Sequence, residues 1–402
     1  MKNYFSLAFA SLLFAGSAGA QGLYYVGSEA QESLPLKWVV GVTASYDDNI
    51  SPSYGNEQGS VAINPYVGLS FVNITPQTTW DVYVRLGVLY YLDAPAGTND
   101  LNNQSRAGVN LTHRFSERLR FSSRNFVAYE LNPDYSYGVA SSAKVGEYFY
   151  WQSDNSVGFR WTERLGTYTG LRLAGTSYSD LANNGTFTWE LYNQFRYQLG
   201  PQTVLTGDYR YGQTTGDGAA SDSSDQYFLV GVEHRFSPNT IAIARGGIQL
   251  HEIDGGDSYT SPYFELALNS QVTQQLSVRA YTRYGIESND TYQIHPAGPS
   301  IFDNTQTLRF GVSSEYALSP MMSIFGGVDY IPTSYAGGRR ISDNAGVSDL
   351  STDLINAYIG LSVKFNDYLT GTVSYNFTES SSDIQFQDYT RNRISIGVSA
   401  EF

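Results

Sequence analysis

Apolar and polar residues alternate along most of this chain with a period of two. In Arg391–Phe402, Ile394, Ile396, Val398, Ala400 and Phe402 fall on one side of an extended strand, and Arg391, Arg393, Ser395, Gly397, Ser399 and Glu401 on the other. Trp80, Val82, Val84, Leu86, Val88 and Tyr90 oppose Asp81, Tyr83, Arg85, Gly87 and Tyr91 in the same way, and Ala357–Phe365 repeats the split. The strands are joined by two kinds of connection. Tight turns fall at Asn73–Thr78, Ser116–Arg118, Thr162–Arg164, Gly200–Gln202, Ser237–Asn239, Thr273–Gln275, Ser319–Met321 and Asn366–Asp367. Longer stretches rich in Asp, Asn, Gly, Ser and Pro lie between them, among them Asn49–Gly59, Asn132–Gly146, Asp254–Ser258, Ser288–Asn304 and Ala336–Thr352. The repeating unit is thus a hairpin of about 36 to 47 residues.

In a soluble barrel the apolar face would point inward, and a barrel of this many strands would enclose a wide apolar void, which close-packed interiors do not keep. Lipid outside and water inside removes the contradiction. No segment approaches the roughly 18 apolar residues of a spanning helix, and mean hydropathy is -0.29. Any membrane residence is therefore as a barrel. The pattern predicts an all-β, transmembrane, antiparallel up-and-down β-barrel of about 18 strands, with about 16 as the alternative, short periplasmic turns and long extracellular loops. Its first strand lies near Lys37–Asp47 and its last at Arg391–Phe402. Trp38, Tyr46, Trp80, Tyr90, Phe149, Trp161, Phe187 and Tyr197 end the apolar faces and mark two interfacial girdles.

The first residues carry one charge at Lys2, an apolar run from Tyr4 to Ala15, and Ala18-Gly19-Ala20 before Gln21. This predicts a signal peptide over 1–20, a short periplasmic leader over 21–35 and the barrel over 36–402. The leader is too short for a folded plug. Cysteine is absent, which excludes disulfides and thiolate metal sites. The net charge of -14 argues against nucleic acid as a partner.

Candidate chemistry lies on the polar face. Arg85, Arg106, Arg124, Arg160, Arg172, Arg196, Arg210, Arg245, Arg279, Arg283, Arg309 and Arg393 share parity with polar residues, as do Asp81, Asp154, Glu190, Asp208, Glu233, Glu265 and Glu315. These arginines either brace the wall against acids and tyrosines or form a basic pore lining that favours anions. Inward tyrosines such as Tyr83, Tyr192, Tyr281 and Tyr358 could present ring faces to sugars. His113 and His234 fall on the lipid-facing parity near short turns. His251-Glu252 with Asp254 is the one candidate acid–base group, and with no Ser-centred nucleophile motif beside it the chain carries no enzyme signature. Asp47-Asp48-Asn49 supplies three oxygen ligands, a weak Ca²⁺ candidate beside the plainer reading of a turn. No cofactor is implied.

Ser45-Tyr46-Asp47-Asp48-Asn49-Ile50, after a signal peptide and at the end of the first strand, resembles the start of a family of outer-membrane β-barrel porins that includes barrels of exopolysaccharide gene clusters. Asn132-Pro133-Asp134-Tyr135-Ser136-Tyr137-Gly138 and Gly146-Glu147-Tyr148-Phe149-Tyr150 are similar to stretches in the same group. The resemblance implies the outer membrane and a transport or export role. A strand-borne carboxy-terminal Phe402 resembles the assembly signal of such barrels, with the barrel assembly machinery as its partner. The expected function is passive diffusion of small polar or anionic solutes. Assistance to polysaccharide export and a structural or adhesive surface role are the alternatives, and no strand is distinctive enough to nominate an oligomer contact.

Overall fold

The computed structural model describes the chain from Ser33 onward except for residues 51–56, 95–98, 132–146, 179–184, 218–221, 289–290 and 385–386. The proposed signal peptide, nearly all of the leader and the Asn132–Gly138 motif lie outside the described residues. Among the described residues nineteen strands form one antiparallel sheet. They are β1 (Leu34–Asp47), β2 (Ser60–Ile74), β3 (Thr78–Tyr91), β4 (Leu101–Arg114), β5 (Leu119–Glu130), β6 (Tyr148–Arg160), β7 (Leu165–Tyr178), β8 (Thr186–Gly200), β9 (Thr203–Gly216) and β10 (Ser223–Ser237). The remainder are β11 (Thr240–Ile253), β12 (Ser258–Gln271), β13 (Leu276–Ile286), β14 (Tyr292–His295), β15 (Gly298–Ser319), β16 (Met322–Arg340), β17 (Leu350–Lys364), β18 (Leu369–Ser382) and β19 (Tyr389–Glu401).

Each wall strand pairs with its sequence neighbours, and β1 pairs with β19 from Val39↔Glu401 to Asp47↔Arg393, closing the ring. β14 pairs only with the start of β15, while β13 pairs directly with β15. Eighteen strands therefore make the wall, and β14 belongs to a hairpin rising above it. All eight tight turns fall where the sequence puts them, on the rim that also holds the start of β1 and the end of β19. Closure leaves no edge on the eighteen-stranded wall among the described residues.

The outer face is apolar: Val40, Val42, Leu86, Val230, Leu266, Ile359, Ile396 and Val398 are all exposed. Trp38, Trp80, Phe115, Trp161, Phe195, Phe236, Phe365 and Phe402 are exposed toward the strand ends. A closed barrel with an apolar belt on its outside is a transmembrane barrel.

Two stretches read from sequence as loops are partly strand. Residues 298–304 belong to β15 and 336–340 to β16, paired through Phe302↔Gly338 and Asn304↔Ala336. A small core of Phe302, Tyr335, Leu350 and Ile384 lies beneath them. Gly- and Asp-rich composition hid an alternation with few but well-spaced apolar residues. The first strand also starts at Leu34, inside the span assigned to the leader.

Abundant Tyr and Gly have one packing origin. Tyr66, Tyr83, Tyr168, Tyr192, Tyr281 and Tyr358 each stand directly across from a glycine, respectively Gly41, Gly108, Gly158, Gly170, Gly311 and Gly327. The rings lie on those glycines: a Cβ at Gly158 would sit 2.2 Å from Tyr168 and one at Gly170 2.4 Å from Tyr192. An aromatic ring covering a strand glycine restores the packing that the missing side chain forgoes.

Candidate functional site

The inner face is built by the residues that alternate with the apolar belt, and all twelve nominated arginines lie on it by strand parity. Most stand beside carboxylates. Asp154 of β6 lies 3.7 Å from Arg124 of β5 and 3.2 Å from Arg172 of β7, and Arg172 reaches Glu190 of β8 at 2.8 Å. A second run starts at Arg210 of β9, 3.1 Å from Glu265 of β12. Arg245 of β11 bonds Glu265, lies 3.4 Å from Glu233 of β10, and Glu233 grips Arg196 of β8 through two contacts of 2.6 and 2.7 Å. Arg196 and Glu233 are 1% and 4% exposed, so this pair is sealed from water.

Acids omitted from the sequence reading complete the network. Glu130 at the end of β5 takes Arg106 at 2.7 Å. Glu287, just beyond β13, sits between Arg283 and Arg309, which donates two bonds of 2.8 Å. Burial alone would raise the Glu287 pKa, but the Arg309 and Arg283 guanidiniums outweigh it and hold the carboxyl at about 2. The lining is therefore an alternating lattice of charge, not the uniformly basic surface that a count of strand arginines suggests. Glu130 shares parity with Arg124 and was legible; Glu287 was not, because it lies at a loop edge.

Rings and guanidiniums stack on this face. Arg85 lies 3.8 Å over Tyr66, Arg172 5.6 Å over Tyr192, and Arg196 and Arg210 both 5.9 Å over Tyr168 and Tyr263. Tyr66, Tyr168 and Tyr192 also lie against glycines, and a Cβ at Gly285 would likewise meet Tyr263 at 2.7 Å. These are cation–π contacts in a partly dry setting.

The segment after β13 is drawn into the lumen. Gln249 of β11 spans β12 to bond both Ile286 N–H and Ile286 C=O, at 2.8 and 2.9 Å. Ser288 Oγ donates to Asp225 at 3.2 Å. The cavity bounded by this segment is about 230 Å³ and is lined by Tyr150, Arg172, Glu190, Arg210, Tyr227, Tyr263, Arg283 and Glu287. A second, about 330 Å³, is lined on the other side by Asn64, Arg85, Arg106, Glu130, Tyr358, Asn376 and Arg393. Arg160 stands at the short-turn mouth, 3.9 Å from the exposed Glu117. Arg279 faces inward on β13 opposite Asn269.

The acid–base and metal candidates take other roles. His251 is buried and bonds Asp225 at 2.9 Å, not Glu252 or Asp254; Glu252, adjacent in the strand, points to the opposite face. Asp47 is gripped by Arg391 through contacts of 3.0, 3.0 and 2.6 Å, Asp48 accepts from Asn392 N and Nδ2 at 2.6 and 2.7 Å, and Asn49 donates to Thr390 O at 2.9 Å. These contacts of the trio pin β1 to β19. Among the described residues no group of three or more His, Asp or Glu is placed to hold a metal ion. Phe402 exchanges backbone bonds of 2.8 and 3.0 Å with Trp38 and stacks beside Tyr368.

His113 and His234 belong to a repeat that the sequence reading missed. Pro76-Gln77-Thr78 with His113-Arg114-Phe115-Ser116 returns as Pro201-Gln202-Thr203 with His234-Arg235-Phe236-Ser237. In both copies Thr Oγ1 meets His Nδ1, at 2.8 and 2.9 Å, and the His ring stands 4.6 Å from the Phe ring.

No family model and no curated protein matches the chain. Among solved structures it is similar to the outer membrane channel DcaP of Acinetobacter baumannii, at 13% identity over 94% of this chain and 99% of that one, with a TM-score of 0.47. It is also similar to OccK2 (OpdF) of Pseudomonas aeruginosa in complex with glucuronate, at 9% identity over 91% and 98%, TM-score 0.48. The siderophore receptor PirA of Pseudomonas aeruginosa matches at 10% over 94% and 82%, TM-score 0.43. A closed 18-stranded wall, an apolar outer belt and a charged interior together make this chain a β-barrel of the outer membrane.

Proposed function

We propose that the barrel is a passive, porin-like channel for small polar and anionic solutes. The observation that carries this reading is the cavity beside the Ile286–Ser288 segment, where Arg172, Arg210 and Arg283 from three strands and the carboxylates Glu190, Asp225 and Glu287 line one polar space within the wall. A lumen lined by polar and charged side chains suits small polar solutes, and the guanidiniums offer an anion its contacts. The arginines of the inner face other than the sealed Arg196 are its lining, and Phe402 is the signal read by the assembly machinery. Polysaccharide cargo has less support: Tyr66, Tyr168, Tyr192 and Tyr263 each already lie against a glycine and beside a guanidinium. Planar-bilayer recordings under a salt gradient test the reading. The expected result is conductance with a reversal potential on the anion side, moving toward the cation side in Arg210→Ala and Arg283→Ala. A protein that inserts but passes no current defeats it.

A further inference from the structure

The outer wall has one sector whose chemistry does not suit lipid. Midway along β5 and β6, with Phe121 and Val157 on one side and Val127 and Trp151 on the other, the outward positions are Ser123, Asn125, Ser153 and Asn155. They form a closed ring. Ser123 Oγ donates to Asn155 Oδ1 at 2.7 Å, Asn155 Nδ2 to Ser153 Oγ at 2.8 Å, Ser153 Oγ to Asn125 Oδ1 at 2.7 Å, and Asn125 Nδ2 to Ser123 Oγ at 3.0 Å. Nearby on the same face, Asn193 of β8 donates to Thr169 of β7 at 2.6 Å, and its own Oδ1 makes no hydrogen bond. On β1 and β19, by contrast, the mid-wall is apolar, with Val40 and Val42 or Ile394, Ile396 and Val398 facing out.

Hydrocarbon offers no hydrogen-bond partner, so each unsatisfied polar valence there is costly. The ring meets half of the need. Each asparagine still has one N–H and one carbonyl lone pair outside it. Two amide donors and two amide acceptors remain on one face, with one further lone pair on each serine, and a surface that carries both donors and acceptors can complement itself under a two-fold axis. Small side chains here also let a facing wall approach closely, as small residues do between membrane helices.

We infer that the β5–β6 wall is a contact between two copies of this chain within the membrane, centred on Asn125 and Asn155. The contact does not depend on what the lumen passes. The chain has no cysteine, so single-cysteine reporters are unambiguous. In vesicles, Asn125→Cys should cross-link to twice the chain mass with a short bis-maleimide, while Val42→Cys, on the apolar wall, stays monomeric. Single-molecule photobleaching should show two or more copies for the wild type. For Asn125→Leu with Asn155→Leu, loss of the polar contacts should weaken association by about tenfold or more. Heat-shifted gel mobility confirms that the variants are folded barrels, and Ser153→Ala offers a milder test should the double variant misfold. A wild type that bleaches in one step overturns the inference. So do equal cross-linking at positions 42 and 125, a double-leucine variant that stays associated, or a lipid or unrelated protein held at this face in native mass spectrometry.

Discussion

Two sectors of the inner wall solve one problem with different chemistry. From β5 to β13 the polar side chains are charged and bound in the runs Arg124–Asp154–Arg172–Glu190 and Arg210–Glu265–Arg245–Glu233–Arg196. From β16 to β18 the ladder is mostly neutral: Tyr281 and Asn356 donate to Asp329 at 3.0 and 3.3 Å, and Asn376 and Thr378 donate to Asn356 Oδ1 at 2.8 and 3.0 Å. Both satisfy the buried face of a sheet. The charged sector alone also fixes a strong local field, and it is costlier to damage because removing one member strands its partner.

That contrast has a measurable order. Glu233→Gln leaves two guanidiniums facing a neutral amide around a sealed pair, a loss of about 3–5 kcal/mol in reversible unfolding from lipid vesicles. Gly158→Ala pushes a Cβ into the Tyr168 ring and should cost about 1–3 kcal/mol in the same assay, with Tyr168 fluorescence shifted. In the neutral sector, Asn376→Ala should cost about 1 kcal/mol. If Asn376→Ala and Glu233→Gln destabilise equally, the contrast between the sectors fails.

The smallest expected effect is a flat pH response. Glu287 has a folded-state pKa of about 2 against an ordinary 4.5. Because the shift is downward, its stabilisation is fully present above 4.5 and is lost only as pH falls through about 2. A spin label on the Ile286–Ser288 segment should therefore report no change from neutral pH down to 4.5, with release toward pH 2. Glu287→Gln should show the released spectrum at neutral pH. Release of the wild type near pH 5 would mean that Arg283 and Arg309 do not hold it.

The architecture was legible because period-two alternation and the sorting of short from long connections are local signals. Strand number, the eight tight turns and the aromatic ends followed from them. Pairing across strands is not local. That Asp47 would spend its oxygens on Arg391, 344 positions away, or that Gln249 would reach over β12 to Ile286, depends on register and wall curvature. The polar ring on β5 and β6 was in plain view as Ser123, Asn125, Ser153 and Asn155, yet it shows as a cluster only when the two strands are set side by side.

The tyrosine–glycine pairs carry a consequence for how strands find their alignment. A slip of one residue turns every lipid-facing side chain inward and is rejected at once. A slip of two keeps inside and outside intact, so alternation cannot detect it. It would, however, move Tyr168 off Gly158, Tyr192 off Gly170 and Tyr83 off Gly108, onto positions that carry a side chain. Each pair thus works as a notch and tooth that only one alignment engages. Six such notches spread around the wall would let the chain count in twos and still stop at the right place.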